Sequence, residues 1–328
     1  THPCFGLPGG VSKQISEEER AKMEEMAKSC VEFAKFTKKI LADVVLANQD
    51  YLNLILNQDA YYLETYYMGM VDKNNKSNFY DGDIRVVDQT GKEVVKFKPS
   101  EYLDVIAEHV EPWTYMKMPY LKKVGWKGFV DGASSGIYRV GPLGRINVCE
   151  GYTTPVAQAE YEAMAKTFKD LGVTGPVHHT LAYHWARVIE LVYATERMLE
   201  LASDKSITSD DIRGEFKEPK EGVGICEAPR GTLIHHYTSD KDGLCTSINM
   251  IVATTNNYAA INTSVKQAAK ALIKNGEVSP GLLNKVEMAF RCYDPCNSCG
   301  THALNGGPAL EVNVRRKDGA VAETLKNF

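Results

Sequence analysis

Cys296, Cys299 and His302 fall in the run YDPCNSCGTH at residues 293–302, and Cys292 stands directly ahead of it. Three thiols and an imidazole so close together are a donor set for a metal. Three kinds of metal site use such donors. The spacing Cys292-x3-Cys296-x2-Cys299 is that of the iron–sulfur cluster in radical S-adenosylmethionine enzymes. There the motif precedes most of a βα barrel, whereas this one lies near the end of a 328-residue chain, so that site is excluded. Structural zinc on Cys292, Cys296, Cys299 and His302 suits the ligand types, although such sites usually join two ligand pairs separated in sequence. A softer catalytic metal such as nickel would take Cys296 and Cys299 as two of four thiolates. That option needs a second close cysteine pair, and the sequence contains none. Asp294-Pro295 fixes the chain direction entering the pair, because proline locks its own φ and restricts the residue before it.

The chain that must position these groups has the composition of a folded globular protein, 44% hydrophobic and 24% charged. Lys and Arg total 38 against 42 acids, a net charge of -4, which gives no basis for a nucleic-acid surface or a polybasic membrane patch. No apolar run is long enough to span a membrane. THPCFGLPGGVSK lacks the pattern of a signal peptide and does not begin with Met, so a fragment or processed product is expected. Cys4, Cys30, Cys149, Cys226 and Cys245 are scattered singly among apolar neighbours and read as buried free thiols. Together these features describe a reducing, cytoplasmic protein.

Ser16 and Glu19 form a capping box ahead of Met23, Met26, Ala27, Cys30, Phe33, Ala34 and Phe36 at helical spacing. Helical character is expected to run to about Tyr67, with an interruption near Asn48. FYDGDIRVVDQTGKEVVKFKP predicts a hairpin turning at Gln89-Thr90-Gly91. Residues 111–150 read as irregular, with IYRV and RINV as short strands. Thr154-Pro155 opens a helix that Gly172 closes, and another covers about 177–202. GVGICEAPRGTLIHHYTSD and CTSINMIV read as paired strands, followed by helices at about 256–275 and 279–290. ALEVNVRRKDGAVAET predicts a last hairpin at Asp318-Gly319. The fold class expected is α+β, predominantly helical, with a long helix-bundle core, small peripheral antiparallel hairpins and a single domain over 1–328. His178, His179 and His184 read as capping or packing residues, and only one of His235 and His236 is expected to face inward. The run YYLETYYMGM reads as bundle core or subunit contact.

Several segments together resemble the large, catalytic subunit of nickel–iron hydrogenases, and the likeness spans nearly the whole chain. DPCNSCGTH is similar to that family's C-terminal DPCxxCxxH motif, and GVGICEAPRGTLIHHY at 222–237 to its Glu-Ala-Pro-Arg-Gly segment. HPCFGLPGGVSK, FYDGDIRVVD and YRVGPLGRINV also resemble family segments. Their wording is nearest to the cytoplasmic, multisubunit branch of NAD-reducing and F420-non-reducing enzymes.

The resemblance implies reversible heterolytic cleavage of H2 at a nickel–iron centre whose iron carries carbon monoxide and cyanide. It makes Cys296 a terminal nickel ligand and catalytic base, and Cys299 the thiolate bridging nickel and iron. Arg230 becomes a fixed catalytic cation over the open metal position. Arg230 with its backbone, Pro229 and the hydroxyl of Thr254 would surround the cyanide ligands, and His302 would bind magnesium. Cys292 lies outside the motif and reads as a core thiol. The implied partners are a flavin-containing electron-transfer module, an iron–sulfur small subunit, nickel-insertion factors and a maturation endopeptidase. Against the family pattern, the N-terminal cysteine pair and its nearby glutamate are absent, while 303–328 corresponds to the extension removed on maturation. The chain therefore reads as immature, N-terminally incomplete and inactive by itself. The rival is a non-catalytic relative or assembly module with the zinc site at Cys292, Cys296, Cys299 and His302.

Overall fold

A computed structural model of the chain describes residues 6–7, 9–215, 220–296 and 311–326. Helix α1 (Glu17–Ile40) begins where the capping box predicts, with Ser16 accepting from Glu19 N–H and Glu19 accepting in return from Ser16 N–H. Ala27, Val31 and Ala34 are its buried stripe, while Met26, Phe33 and Phe36 face outward. Leu41–Leu46 widen into a π-helical segment, and Asn48 caps a new helix, α2 (Gln49–Ile55), so the expected interruption is present.

The helix does not continue to Tyr67. Tyr66–Val71 is instead strand β1, buried at all six positions. Aromatic and β-branched residues suit a strand, but burial of both faces removes the alternation that would reveal one. Tyr67 and Val71 belong to the core between the helices, whereas Met68 and Met70 belong to a second core between sheets. The predicted hairpin follows as β2 (Asp83–Val87) and β3 (Glu93–Phe97), completing a sheet with β1. Strands β4 (Ile106–Val110) and β5 (Lys117–Leu121) pair separately, and the short β6 (Tyr138–Arg139) joins β1 in parallel.

RINV is not a strand. It ends helix α3 (Gly141–Val148), in which every residue except Asn147 is buried. A short helix buried all round has no polar face, so its 3.6-residue period is hidden. Helices α4 (Pro155–Asp170) and α5 (Tyr183–Ser203) follow, and Gly172 takes φ +84° after α4, as the helix-stop reading requires.

Strands β7 (Glu221–Ala228), β8 (Gly231–Ser239) and β9 (Cys245–Ile251) form an antiparallel sheet, with α6 (Tyr258–Leu272) and α7 (Pro280–Arg291) after it. The last pair, β10 (Glu311–Arg315) and β11 (Val321–Lys326), turns at Asp318-Gly319 as expected. The α+β class and its small sheets match expectation. Among the described residues no helix is long and apolar enough to cross a membrane.

Candidate active site

Pro229 and Arg230 form the tip of the β7–β8 hairpin, because Ala228 and Gly231 are already paired across the ladder. Gly231 adopts φ +143°, and a Cβ there would lie 2.1 Å from Val140 Cγ2. Gly141 approaches from the other side at φ +78°, where a Cβ would lie 2.9 Å from the Arg230 carbonyl oxygen. Only glycine allows both approaches. Asn257 ties the two loops together: Val140 N–H donates to its Oδ1 at 2.9 Å, and its Nδ2 donates to the Arg230 carbonyl at 3.4 Å.

Beneath the tip lies buried charge. Arg145, on α3, donates from Nε and Nη2 to the Glu190 carboxylate at 2.6 Å each, and from Nη1 to Glu227 Oε2 at 2.5 Å. Its remaining N–H groups donate to the carbonyls of Ala228 at 2.9 Å and Pro229 at 3.1 Å. Glu227 also accepts from Met70 N–H at 2.9 Å and Thr232 Oγ1 at 2.8 Å. Burial opposes the charge on Arg145, but the two carboxylates keep its guanidinium firmly protonated. Burial pushes the Glu227 carboxyl up, against the opposing pull of Arg145, Thr232 and Met70 N–H.

The guanidinium of Arg230 reaches across to the start of the cysteine motif. Nε donates to the Asp294 carbonyl at 2.6 Å and lies 3.3 Å from Asp294 Oδ2. Asp294 stands just past α7, in the left-handed region at φ +54°, which Asp tolerates better than most residues. Tyr293 anchors this exit, fully buried with its hydroxyl 2.9 Å from Ser264 Oγ, and Arg187 donates to the Cys292 carbonyl at 2.9 Å. Two residues on, Cys296 N–H points to Oγ1 of buried Thr254 at 3.4 Å. Thr254 and Cys296 line an open cavity of about 270 Å³ with Val252, Met250 and Tyr258 among its other walls. The structure thus connects Pro229, Arg230, Thr254 and Cys296. Cys299 and His302 lie outside the described residues.

Cys292 is a core thiol, fully buried and donating to the Ala289 carbonyl at 3.4 Å, and burial pushes it up to about 12. A thiol so reluctant to ionise is a poor zinc ligand, which weakens the four-ligand zinc alternative. Of the scattered cysteines, Cys149 is buried as expected, but Cys30 and Cys245 are exposed. Beside Cys30 the apolar Val31 is buried, whereas Leu244 and Ile248 are exposed along with Cys245. His178 packs against Tyr67 and hydrogen-bonds its hydroxyl at 2.7 Å, and His179 stands edge-on to Tyr62; burial pulls both imidazoles down to about 4. They are neutral packing residues. His235 and His236 are both half-buried, His236 bonding Tyr102 and Glu221, so neither is wholly turned in or out.

Residues 1–302 match the family described as nickel-dependent hydrogenase. The chain belongs to that family. It is 49% identical over its whole length to an F420-non-reducing hydrogenase iron-sulfur subunit of Archaeoglobus profundus, covering 66% of that protein. It is 43% identical over 83% of its length to a vhu-type F420-non-reducing hydrogenase subunit of Methanocaldococcus jannaschii, covering 61% of that one. The crystal structure of an NAD+-reducing NiFe-hydrogenase in the H2-reduced state superposes with a TM-score of 0.76 at 34% identity, over 91% of this chain and 63% of that one. The chain therefore spans somewhat less than two thirds of these relatives.

Within this hydrogenase-family chain, sequence reasoning missed Arg145, Glu190, Glu227 and Asn257. A usable signal existed. Arg145 and Glu190 are charges set among residues that otherwise read as core, and a charge in such a place needs a partner.

Proposed function

We propose that the chain is the catalytic part of the large subunit of a nickel–iron hydrogenase, which cleaves H2 reversibly into protons and electrons. One observation carries this reading: Arg230, fixed on a hairpin tip, is bonded to Asp294 at the head of the motif whose Cys296 meets Thr254. The donor chemistry fits a soft metal, since Cys296 lines a cavity beside the buried Thr254 hydroxyl, and Arg230 is tied to Asp294 two residues before it. Cys296, with Cys299, would hold a nickel–iron centre with carbon monoxide and cyanide on its iron, and His302 would hold magnesium. Bound there, the centre supplies a Lewis acid and a place for two electrons.

Cys296 Sγ holds the departing proton, because a coordinated thiolate stays deprotonated yet basic. Arg230, tied to Asp294 at the head of the motif, would keep a positive charge near the bound centre without reorganising, which would favour charge separation as H2 splits. Its carbonyl and that of Pro229 are tied back by Asn257 and Arg145, which fixes the tip from which the guanidinium projects. Thr254 sets the entry of the Cys296 segment through its hydroxyl. In the cell we place this protein in the cytoplasm, where its electrons pass to a flavin-containing module through an iron–sulfur small subunit. Nickel-insertion factors would load it, and an endopeptidase would then remove 303–328.

The test is metal content and H2-dependent dye reduction in the complex purified with its partner subunits, with the chain carrying the N-terminal cysteine pair that the family pattern calls for. Stoichiometric nickel and iron with cyanide infrared bands are expected, all lost in Cys296→Ser, since a serine hydroxyl is a poor soft-metal ligand. Stoichiometric zinc in their place would overturn the reading.

A further inference from the structure

Arg145, Glu190 and Glu227 form a buried ion triad that the proposed chemistry does not touch. Such triads are weak stabilisers: well-packed apolar replacements of similar volume are often as stable or more so. Stability alone therefore does not account for three charges here. The bond inventory does. A guanidinium carries five N–H donors, and Arg145 commits one each to Glu190 Oε1, Glu190 Oε2, Glu227 Oε2, Ala228 O and Pro229 O. The two carboxylates fix the plane of the guanidinium, and its last donors hold the two carbonyls just before Arg230. Glu227 is itself fixed by β1 through Met70 N–H and by β8 through Thr232. The Phe79 ring lies 5.0 Å from the Arg145 guanidinium carbon, closing that face. No apolar residue could satisfy those carbonyls, and a lysine has three donors for five acceptors.

We propose that Arg145, oriented by Glu190 and Glu227, is a positioning residue that sets the height and direction of the Arg230 tip against Asp294 at the head of the cysteine motif. This rests on the hydrogenase reading for its effect on turnover, but the clamp itself concerns only the chain's own atoms.

Two measurements on Arg145→Lys and Glu190→Gln test it. In the metal-free full-length protein, amide hydrogen exchange at Arg230–Leu233 should quicken about tenfold or more, while α4, which carries none of the triad, keeps its wild-type rates. In the metal-loaded complex, turnover should fall on the order of ten- to a hundredfold with nickel and iron retained, and the cyanide stretching bands should shift. Adding Arg230→Lys to Arg145→Lys should lower turnover little beyond Arg230→Lys alone, because both act through one guanidinium. Unchanged exchange at Arg230–Leu233, exchange quickened throughout the chain, or losses that multiply in the double variant would each overturn the clamp. A wild-type complex without nickel and iron would sink the hydrogenase reading and leave the exchange result to judge the clamp.

Discussion

The two ends of the link from Arg230 through Asp294 to Cys296 are built in opposite ways. Arg230 sits on a two-residue tip gripped by glycine packing, an asparagine bridge and two donors from Arg145. Cys296 follows a helix end, and its N–H reaches Thr254 at a long 3.4 Å. The arginine end is held by several close contacts, while the described backbone bond at the cysteine end is a long one. On the proposed function, that division would suit a centre in which charge placement must be fixed but bond lengths are set by a metal.

The sharpest way to break this contrast is to change one residue on each side. In the assembled enzyme, Cys296→Ser should abolish nickel and iron binding and all turnover. Arg230→Lys should retain both metals yet lose about tenfold or more in rate, because it keeps charge but not the planar fork. Equal metal loss in both variants, by elemental analysis, would erase the distinction.

The next effect concerns the grip itself. Gly231→Ala forces a Cβ against Val140 at a backbone angle alanine avoids, so a loss of about 2–4 kcal/mol is expected in chemical denaturation. A wild-type midpoint would show that the tip is looser than its packing suggests.

A smaller effect lies in the helical core, away from the cavity. His178 is held near 4 when folded and returns to about 6.5 when unfolded. The unfolded chain therefore binds more protons between those values. Stability from this group is full above about pH 6.5 and is lost as pH falls toward 4. His178→Asn should flatten the decline of Tm with acidification, leaving the residual slope from His179 and His184. An unchanged slope would show that burial of this imidazole is not what makes the fold acid-sensitive.

The smallest effect belongs to the β10–β11 hairpin, whose described side chains are exposed or half-buried. Removing 311–326 should leave the melting temperature of the remaining chain within about a degree or two, since surface changes are worth about 0.5 kcal/mol or less. A drop beyond about 5 °C would mean that the hairpin supports the core.

Features governed by local chemistry were legible in the sequence: the Ser16 cap, the turns at Gly91 and Gly319, the Gly172 stop and the β7–β9 ladder. Of the candidate site residues singled out in the sequence, Pro229 and Arg230 share a hairpin tip bonded to Asp294, and Cys296 N–H meets Thr254. What failed to show was whatever is buried on every side. Tyr66–Val71 and RINV have lost the polar face that distinguishes a strand from a helix. Arg145 was hidden for the same reason, since its partners Glu190 and Glu227 are 45 and 82 residues away. Exposure of Cys30 and Cys245 was equally illegible, because apolar neighbours in sequence do not determine which face a residue occupies.

Strand β1 has a mechanical consequence. Alternate residues of one six-residue segment serve two cores, Tyr67 and Val71 among the helices and Met68 and Met70 between the sheets. Neither core can loosen without withdrawing side chains from the other. Heat should therefore melt both in a single step, and a blow to the helical bundle should be felt at the hairpin that carries Arg230.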